Sequence, residues 1–410
     1  MNKVKGNSQK RSEPIGLIKS EKVERLSSGY KEFDNVLGGG LVPGSLVLVG
    51  GDPGIGKSTL LLQSATAMAL DKKVLYVAAE ESAEQVRLRW NRIKGSESNL
   101  HLLSETNLDE IILELEVLNP EIAIIDSIQA IQDTNLSSAP GSVTQVRECS
   151  AALQRIAKTK NIALLIVGHV TKEGILAGPK VLEHLVDAVL TFEGDRFASH
   201  RLLRSIKNRF GATNEIGVFE MEGEGLCEVN NPSELFLSNE PASGVATIIA
   251  CEGTRPLAVD LQALINRTTY ASPRRTATGV ESNRLHQILA VIEKHMSLAL
   301  SRHDCYLAVA GGMGVEEPAA DLGIAAAIVS SYKDIRLPQG TVLIGEIGLG
   351  GQLRPVRQLS QRLQEAMRLG FNRAIIPKNI GRKNVFTDNE KIKLLYASNL
   401  TQAINLALNN

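Results

Sequence analysis

The segment GGDPGIGKST, residues 50–59, has the residue types and spacing of a phosphate-binding loop. It fits the pattern G-x-x-x-x-G-K-[ST] with Gly51, Gly56, Lys57 and Ser58. The glycines let successive N–H groups point at a phosphate, the lysine reaches the β and γ oxygens, and the serine hydroxyl binds Mg²⁺. The residues of this loop predicted to bind ATP are Gly51, Asp52, Pro53, Gly54, Ile55, Gly56, Lys57, Ser58 and Thr59.

Acidic residues follow two apolar runs that are typical of buried strands. Asp126 ends IAIID, and a carboxylate at that position of this class of site is expected to hold Mg²⁺ together with Ser58. Glu80 and Glu81 end KVLYVAAEE. One of them is the expected general base that polarises the attacking water, with Glu80 as the named candidate. A helix N-terminus that favours acidic side chains would explain either glutamate without catalysis.

The segment SIKNRFGATNE, residues 205–215, interrupts an alternating apolar run with Lys207 and Arg209. Side chains two positions apart in a strand point to the same face, so we expect both cations to meet one anion. Two solvated cations on a strand would have the same spacing, and that interpretation stays open at the level of these residues.

The elements that must position these residues alternate from residue 46 onwards between short β-rich runs and helical patterns. This alternation predicts an α/β fold with a doubly wound parallel sheet. The closely spaced runs AVLTFEGD, RLLRSIKNRFG and EIGVFEM predict antiparallel strands after it. Beyond residue 242 we expect an α+β arrangement, with two long strands, helices around 282–296, 318–332 and 358–370, and single strands between the helices.

The length of 410 residues exceeds what one hydrophobic core usually supports, so two domains are expected. The predicted divisions are a flexible tail at 1–20, an ATPase domain at 21–227, a linker at 228–241 and a second domain at 242–410. The sequence contains 45 basic residues (Lys and Arg) and 45 acidic residues (Asp and Glu). The resulting formal net charge of zero argues against a global basic field. Any binding of nucleic acid must therefore use local patches.

The cysteines and the hydropathy pattern indicate in which compartment of the cell the protein is expected. Four cysteines, at 149, 227, 251 and 305, lie far apart without a C-x-x-C pair, which predicts neither a zinc site nor a disulfide framework. No apolar run approaches the roughly 18 residues that a membrane span needs. We therefore expect a cytoplasmic protein with no membrane partner and no zinc.

The order of the motifs resembles a known family. The phosphate loop, AAEE, IAIIDS, GHVTKEG and KNRFG follow one another as in the RecA-type ATPase core, and KNRFG resembles the motif of the RadA (Sms) family of bacterial recombination and repair ATPases. The resemblance implies that Lys207 and Arg209 of one subunit reach the γ-phosphate bound by its neighbour. It also implies that His169 senses that phosphate.

The same resemblance implies that two loops follow the axis of a ring through which single-stranded DNA passes. Residues 133–144 contain no cation, whereas 171–184 contain Lys172 and Lys180 as the implied phosphate contacts. The function implied is a DNA-dependent ATPase, expected as a hexameric homo-oligomer, that translocates on single-stranded DNA. It would drive branch migration of branched recombination intermediates alongside a RecA-type recombinase. The alternative is a non-translocating RecA-fold ATP switch that controls assembly with protein partners.

Residues 242–410 resemble the peptidase domain of Lon protease, through GMGVEEPAADLGIAAAIVSS and IGEIGLGGQLRPVRQLSQRLQEA. Lon requires a serine and a lysine in these two segments. The corresponding positions here are Pro318-Ala319-Ala320-Asp321 and Ser360. Because these side chains cannot supply a nucleophilic hydroxyl with its base, we expect a non-proteolytic scaffold and a DNA-binding surface.

The segment SPRRTATGVESNR contains the cations expected to contact DNA in this domain. Arg274, Arg275 and Arg284 are predicted to lie in or beside one loop, where they would bind phosphate oxygens without reading bases. A solvated charged loop is the alternative. The family resemblance further implies an N-terminal four-cysteine zinc module, and the sequence as given shows no such motif.

Overall fold

The computed structural model describes residues 24–95, 99–168, 182–194, 200–213, 215–238, 240, 242–378 and 391–409. By their internal contacts, the residues form two compact units. Of the described residues, the first unit contains those up to Gly50, those within Lys57–Val189 and Arg209–Gly211, and the second contains Gly51–Gly56, those within Leu190–Asn208 and those from Ala212 onwards. The sequence-based division at 228–241 stays a prediction.

The first unit is built from parallel strands and helices. Its strands are β1 (Leu46–Gly51), β2 (Val74–Ala78), β3 (Leu100–Leu103), β4 (Ile122–Asp126) and β5 (Ala163–Val167). Its helices are α1 (Lys31–Leu37), α2 (Lys57–Met68), α3 (Ala83–Arg92), α4 (Leu108–Leu118) and α5 (Val143–Lys160). The strands follow the order β3-β2-β4-β5-β1 and all pair in parallel, which confirms the doubly wound prediction.

Burial explains which of these elements the sequence predicts. Strands β1, β2, β4 and β5 are buried along their whole length, so each is a continuous apolar run. The sequence patterns give no expectation for β3 or α4. Strand β3 lies at the edge of the sheet and is only partly buried, and its short segment therefore lacks that signal. Helix α4 is capped by Asn107, whose Oδ1 accepts from the Asp109 N–H at 2.9 Å.

Strand β6 (Ala188–Glu193) precedes three strands that lie in the second unit, namely β7 (His200–Asn208), β8 (Ile216–Glu222) and β9 (Gly225–Glu228). Antiparallel pairing of β7 with β8 confirms the prediction for these two strands. Strand β9 pairs antiparallel with β8, and the sequence patterns give no expectation for it. Leu202 of β7 and Ile216 and Val218 of β8 belong to one buried apolar cluster with residues of the following α+β fold, among them Ala246 and Ile248.

The α+β part of the second unit contains a seven-stranded sheet and a two-stranded sheet. The strands are β10 (Val245–Glu252), β11 (Arg255–Arg267), β12 (Arg275–Thr278), β13 (His303–Val309), β14 (Thr341–Leu343), β15 (Glu346–Ile347), β16 (Leu353–Arg354), β17 (Arg373–Pro377) and β18 (Lys393–Ala397). The larger sheet has the order β12-β13-β11-β10-β14-β17-β18, and β15 pairs with β16.

The helices of this fold are α6 (Ser282–Met296), α7 (Asp321–Lys333), α8 (Leu359–Arg368) and α9 (Leu400–Leu408). The first three confirm the predicted helices. Helix α7 begins later than expected because Pro318–Ala320 form a short 3₁₀ turn before it. In the described ranges, no helix combines the length and the apolar character that crossing a bilayer requires.

Candidate nucleotide-binding site

The predicted phosphate loop connects β1 to α2. Strand β1 ends at Gly51 and helix α2 begins at Lys57, which confirms the strand–loop–helix context. Asp52, Pro53 and Gly54 are exposed between them, whereas Lys57 is 4% exposed. The first N–H groups of a helix have no intrahelical acceptor and favour an anion, and the first turn of α2 contains no acidic residue to compete with one.

Two glycines show why this loop requires that residue type. Gly54 has a φ of 76°, and no heavy atom lies within 4 Å of the place a Cβ would take, so backbone conformation is its constraint. Gly56 has a φ of 116°, and a Cβ there would lie 2.8 Å from Cε of Met221. Ser58 and Thr59 are half-buried in the first turn of α2. An exposed, tightly curled backbone before a helix N-terminus fits a nucleotide phosphate.

The ends of β2 and β4 bring two predicted carboxylates together. Ala78 is opposite Asp126 in the parallel ladder, and Asp126 is 8% exposed. The Tyr76 hydroxyl donates to Oδ2 of Asp126 at 2.6 Å, and the Ser127 hydroxyl donates to Oε1 of Glu80. Because β1, β5, β4 and β2 pair in parallel, their carboxyl ends lie at the edge of the sheet where the phosphate loop begins.

Sequence reasoning missed Tyr76 and Ser127 as members of this site. Burial, followed by the nearby Asp126 carboxylate, raises the pKa of Tyr76 well above its usual value. The hydroxyl therefore stays protonated and can act as a hydrogen-bond donor. The sequence feature that could have identified Tyr76 is its hydroxyl group, which lies two residues before the end of an otherwise aliphatic buried strand.

The adjacent glutamates have different surroundings. Glu81 forms an ion pair with Arg89 of α3, with the two side chains 34% and 20% exposed respectively. Ser82 caps the same helix by accepting from the Gln85 N–H at 3.3 Å. Glu80 is exposed and accepts from the Ser127 hydroxyl instead. The structure thus directs Glu81 towards α3 and Glu80 towards the residue that follows Asp126.

Lys207 and Arg209 do not lie in the same element. Lys207 is a half-buried residue of β7, but that strand ends at Asn208, so the expectation that one strand contains both cations is wrong for Arg209. Just after β7, the Arg209 N–H donates to the carbonyl oxygen of Asp187 at 3.0 Å. The guanidinium of Arg209, half exposed, pairs with the same aspartate through Nη1 and Oδ1 at 3.1 Å.

Three predicted contacts lie outside the described residues. They are His169, implied as a sensor of the γ-phosphate, and Lys172 and Lys180, implied as contacts to DNA. The cation-free segment 133–144 is described, and it leads into α5, where the Ser142 hydroxyl accepts from the Gln145 N–H at 3.4 Å.

The three arginines predicted to lie in or beside one loop occupy different elements, because a short strand divides the segment. Arg274 is exposed, and its guanidinium lies 3.9 Å from the ring centre of Tyr270, which is 52% exposed. Arg275 begins β12, and Arg284 lies in α6. Residues 275–278 form a strand because they pair in parallel with β13, and the Cys305 N–H donates to the carbonyl oxygen of Arg274 at 2.8 Å.

Arg284 is engaged within the α+β fold. Its Nε donates to Oδ1 of Asp321 at 2.7 Å, and its Nη2 donates to Oδ2 of the same carboxylate. Asp321 is 1% exposed and also accepts from the Ile347 N–H at 2.9 Å. Burial raises the pKa of Asp321, and the hydrogen bond from Arg284 opposes that rise.

A second buried ion pair lies near the other Lon-like segment. Arg362 of α8 is 1% exposed and makes two parallel hydrogen bonds with the carboxylate of Glu317. A cavity of about 690 Å³ is lined in part by Glu317, Arg284 and Asp321. Among the described residues that line it, none carries a hydroxyl, thiol or amine side chain. Ser360 is half-buried in α8 and is not among them.

Fold and site together define a P-loop ATPase with a RecA-like core, followed by an α+β domain of the Lon-protease type. The family model of an AAA domain matches residues 13–174, and that of subunit ChlI of Mg-chelatase matches residues 276–380. The DNA repair protein RadA of Synechocystis sp. is 55% identical, with 99% of this chain and 84% of that protein covered. RadA of Bacillus subtilis is 48% identical, with 96% and 86% covered. The chain belongs to the RadA family.

Among solved structures, a KaiC-like protein from Pyrococcus horikoshii aligns with a TM-score of 0.43 and 21% identity. The alignment covers 50% of this chain and 99% of the archaeal chain.

Proposed function

We propose that this chain is a ring-forming ATPase of DNA repair and homologous recombination that translocates on single-stranded DNA and drives branch migration. Membership of the RadA family supports the role in repair. The observation that carries the catalytic part is that β1, which ends where the phosphate loop begins, and β4, which ends in Asp126, lie in one parallel sheet, with the Ser127 hydroxyl donating to Glu80.

In this proposal Lys57 contacts the β- and γ-phosphates, while Ser58 and Asp126 hold Mg²⁺. The bound ion would neutralise charge that develops on the transferred phosphoryl group. Tyr76 holds one oxygen of Asp126 and thereby orients the carboxylate. Glu80 takes the role of general base, because it accepts from the hydroxyl of Ser127, the residue that follows Asp126, whereas Glu81 is held in an ion pair with Arg89 of α3.

Lys207 and Arg209 are proposed to act on the nucleotide of the adjacent subunit in a hexameric ring. A cation that arrives in trans can stabilise the charge on the equatorial oxygens and contribute roughly 10³–10⁵ in rate. Arg209 is half exposed beside Asp187. Its partner Asp187 is only 7% exposed and also accepts from the Leu46 N–H at 3.1 Å, so a γ-phosphate that binds this guanidinium would have to share it with a buried carboxylate.

Arg274 and Arg275 are proposed as contacts to DNA phosphates, with Tyr270 beside Arg274 as an exposed aromatic ring. Arg284 is also predicted to contact DNA, although its ion pair with Asp321 favours a structural role. The Lon-like domain is proposed to be non-proteolytic. The two buried ion pairs and the lining of the adjacent cavity support this view.

The test combines ATP hydrolysis, measured with and without single-stranded DNA, with branch migration of a synthetic four-way junction. The proposal predicts DNA-stimulated turnover and junction migration that are both lost in Lys57→Ala. Stimulated turnover without migration would favour the non-translocating switch. Turnover that DNA leaves unchanged would contradict a DNA-dependent ATPase, and cleavage of unfolded casein would contradict the non-proteolytic assignment.

A further inference from the structure

Strand β7, which contains Lys207, also contains an arginine that is tied to the Lon-like fold. Arg204 donates through Nη1 to Glu252 of β10 and pairs through Nε with Glu193 of β6 at 3.3 Å. The Arg204 and Glu252 side chains are only 18% and 15% exposed. All of these residues lie in the second unit.

The apolar packing around this ion pair joins the same elements. Leu202, two residues before Arg204, is buried in one cluster with Ala246 and Ile248 of β10. Ile216, which is opposite Arg204 in the β7–β8 ladder, belongs to that cluster too. Strand β7 therefore packs as part of the Lon-like core on one side of the ladder.

A largely buried ion pair is a weak source of stability, because desolvation offsets much of the attraction between the charges. The ion pair acts more on the positions of the strands than on stability, because it fixes the guanidinium of Arg204 against the carboxylate of Glu252. Arg204 and Lys207 are separated by three residues of extended strand, or about 10 Å. If β7 shifted against β10 at Arg204, Lys207 on the same strand would shift with it by a similar amount.

We propose that Arg204 is a positioning residue for Lys207. Its ion pair with Glu252 holds β7 against the Lon-like sheet, so that this domain sets where the trans-acting lysine meets the neighbour's nucleotide. The inference rests on the proposed action of Lys207 in trans. It assigns the Lon-like domain a part in ATP hydrolysis that is separate from binding DNA.

The first experiment compares Arg204→Gln with Arg354→Gln. Arg354 forms an ion pair of 3.2 Å with Glu346 in the same unit but is 54% exposed, so it controls for the loss of any one arginine. Because a misplacement of about 1 Å can cost 10²-fold in rate, we expect Arg204→Gln to lower kcat roughly 10- to 100-fold. Nucleotide Kd should stay within about twofold, and Arg354→Gln should leave kcat unchanged. An unchanged kcat in Arg204→Gln would overturn the inference.

Mixing subunits separates positioning from a structural defect. Arg204→Gln retains its own phosphate loop, whereas Lys57→Ala retains an intact Lys207. Mixed rings of these two variants should hydrolyse ATP faster than the sum of the separate variants. The companion mixture of Lys207→Ala with Lys57→Ala tests action in trans alone. If the companion mixture recovers activity and the Arg204→Gln mixture does not, the positioning role is wrong. If neither mixture recovers activity, the proposed trans mechanism is wrong.

A double-variant comparison tests whether Arg204 acts through Glu252. If one contact carries the effect, Arg204→Gln combined with Glu252→Gln should lower kcat no further than either change alone. Losses that multiply would show that the two residues act independently and would refute the proposed route.

Discussion

The structure separates two adjacent carboxylates, and replacing each by its amide tests that separation. We expect Glu80→Gln to abolish most ATP hydrolysis and Glu81→Gln to leave it nearly intact. The two substitutions remove the same charge from neighbouring residues. Any general electrostatic effect on the nucleotide should therefore be similar in both, and the difference between them reports the specific role.

The expected magnitudes follow from the contacts. A general base contributes about 10²–10⁴ in rate, which corresponds to about 2.7–5.4 kcal/mol in the activation barrier. Glu81 instead pairs with Arg89, and both side chains retain solvent contact. Loss of such a pair should lower the free energy of unfolding by about 1 kcal/mol or less. Its effect on kcat should stay within about threefold.

The assay is kcat at saturating ATP and single-stranded DNA, with nucleotide Kd measured separately by a fluorescent analogue. Glu80→Gln should change Kd by less than about twofold, because the base acts in the transition state and not in ground-state binding. If Glu81→Gln loses activity as Glu80→Gln is expected to, and Glu80→Gln retains it, the assignment based on Ser127 and Arg89 is refuted.

Three further predictions concern arginine and cysteine side chains outside the phosphate loop. Arg284→Gln leaves the Asp321 carboxylate buried without its cation, so the pKa of Asp321 should rise further. The free energy of unfolding should then fall by about 3 kcal/mol at pH 8 and by less near pH 4.5, because the carboxylate can bind a proton at the lower pH. Urea titrations at both pH values would measure this difference. Arg274→Ala with Arg275→Ala should reduce the log–log salt slope of DNA binding by about 0.7 per lost contact, and an unchanged slope would place the DNA elsewhere. In the native protein a thiol reagent should modify Cys227 first, because burial raises the pKa of the other three thiols to about 11. Fast reaction of all four cysteines would contradict the described packing.

Several features were predictable because they depend on short-range patterns. The phosphate loop, the alternation of the buried parallel strands with helices, and the antiparallel pair of β7 and β8 follow from glycine spacing, buried apolar runs and alternation along the chain. Strand β12 was not predictable in this way. Its Thr-rich segment becomes a strand only because β13, about thirty residues further along the chain, offers it a hydrogen-bonding edge.

The sequence by itself determined the class of site, since the spacing of Gly51, Gly56 and Lys57 requires no distant partner to be recognised. Tertiary structure alone decided which neighbours each charged side chain meets. Glu80 and Ser127 are 47 positions apart, Arg284 and Asp321 are 37 apart, and Arg204 and Glu252 are 48 apart. An ion pair depends on two side chains arriving within a few ångströms of each other, and chain packing sets that distance while the spacing of residues along one strand or helix does not.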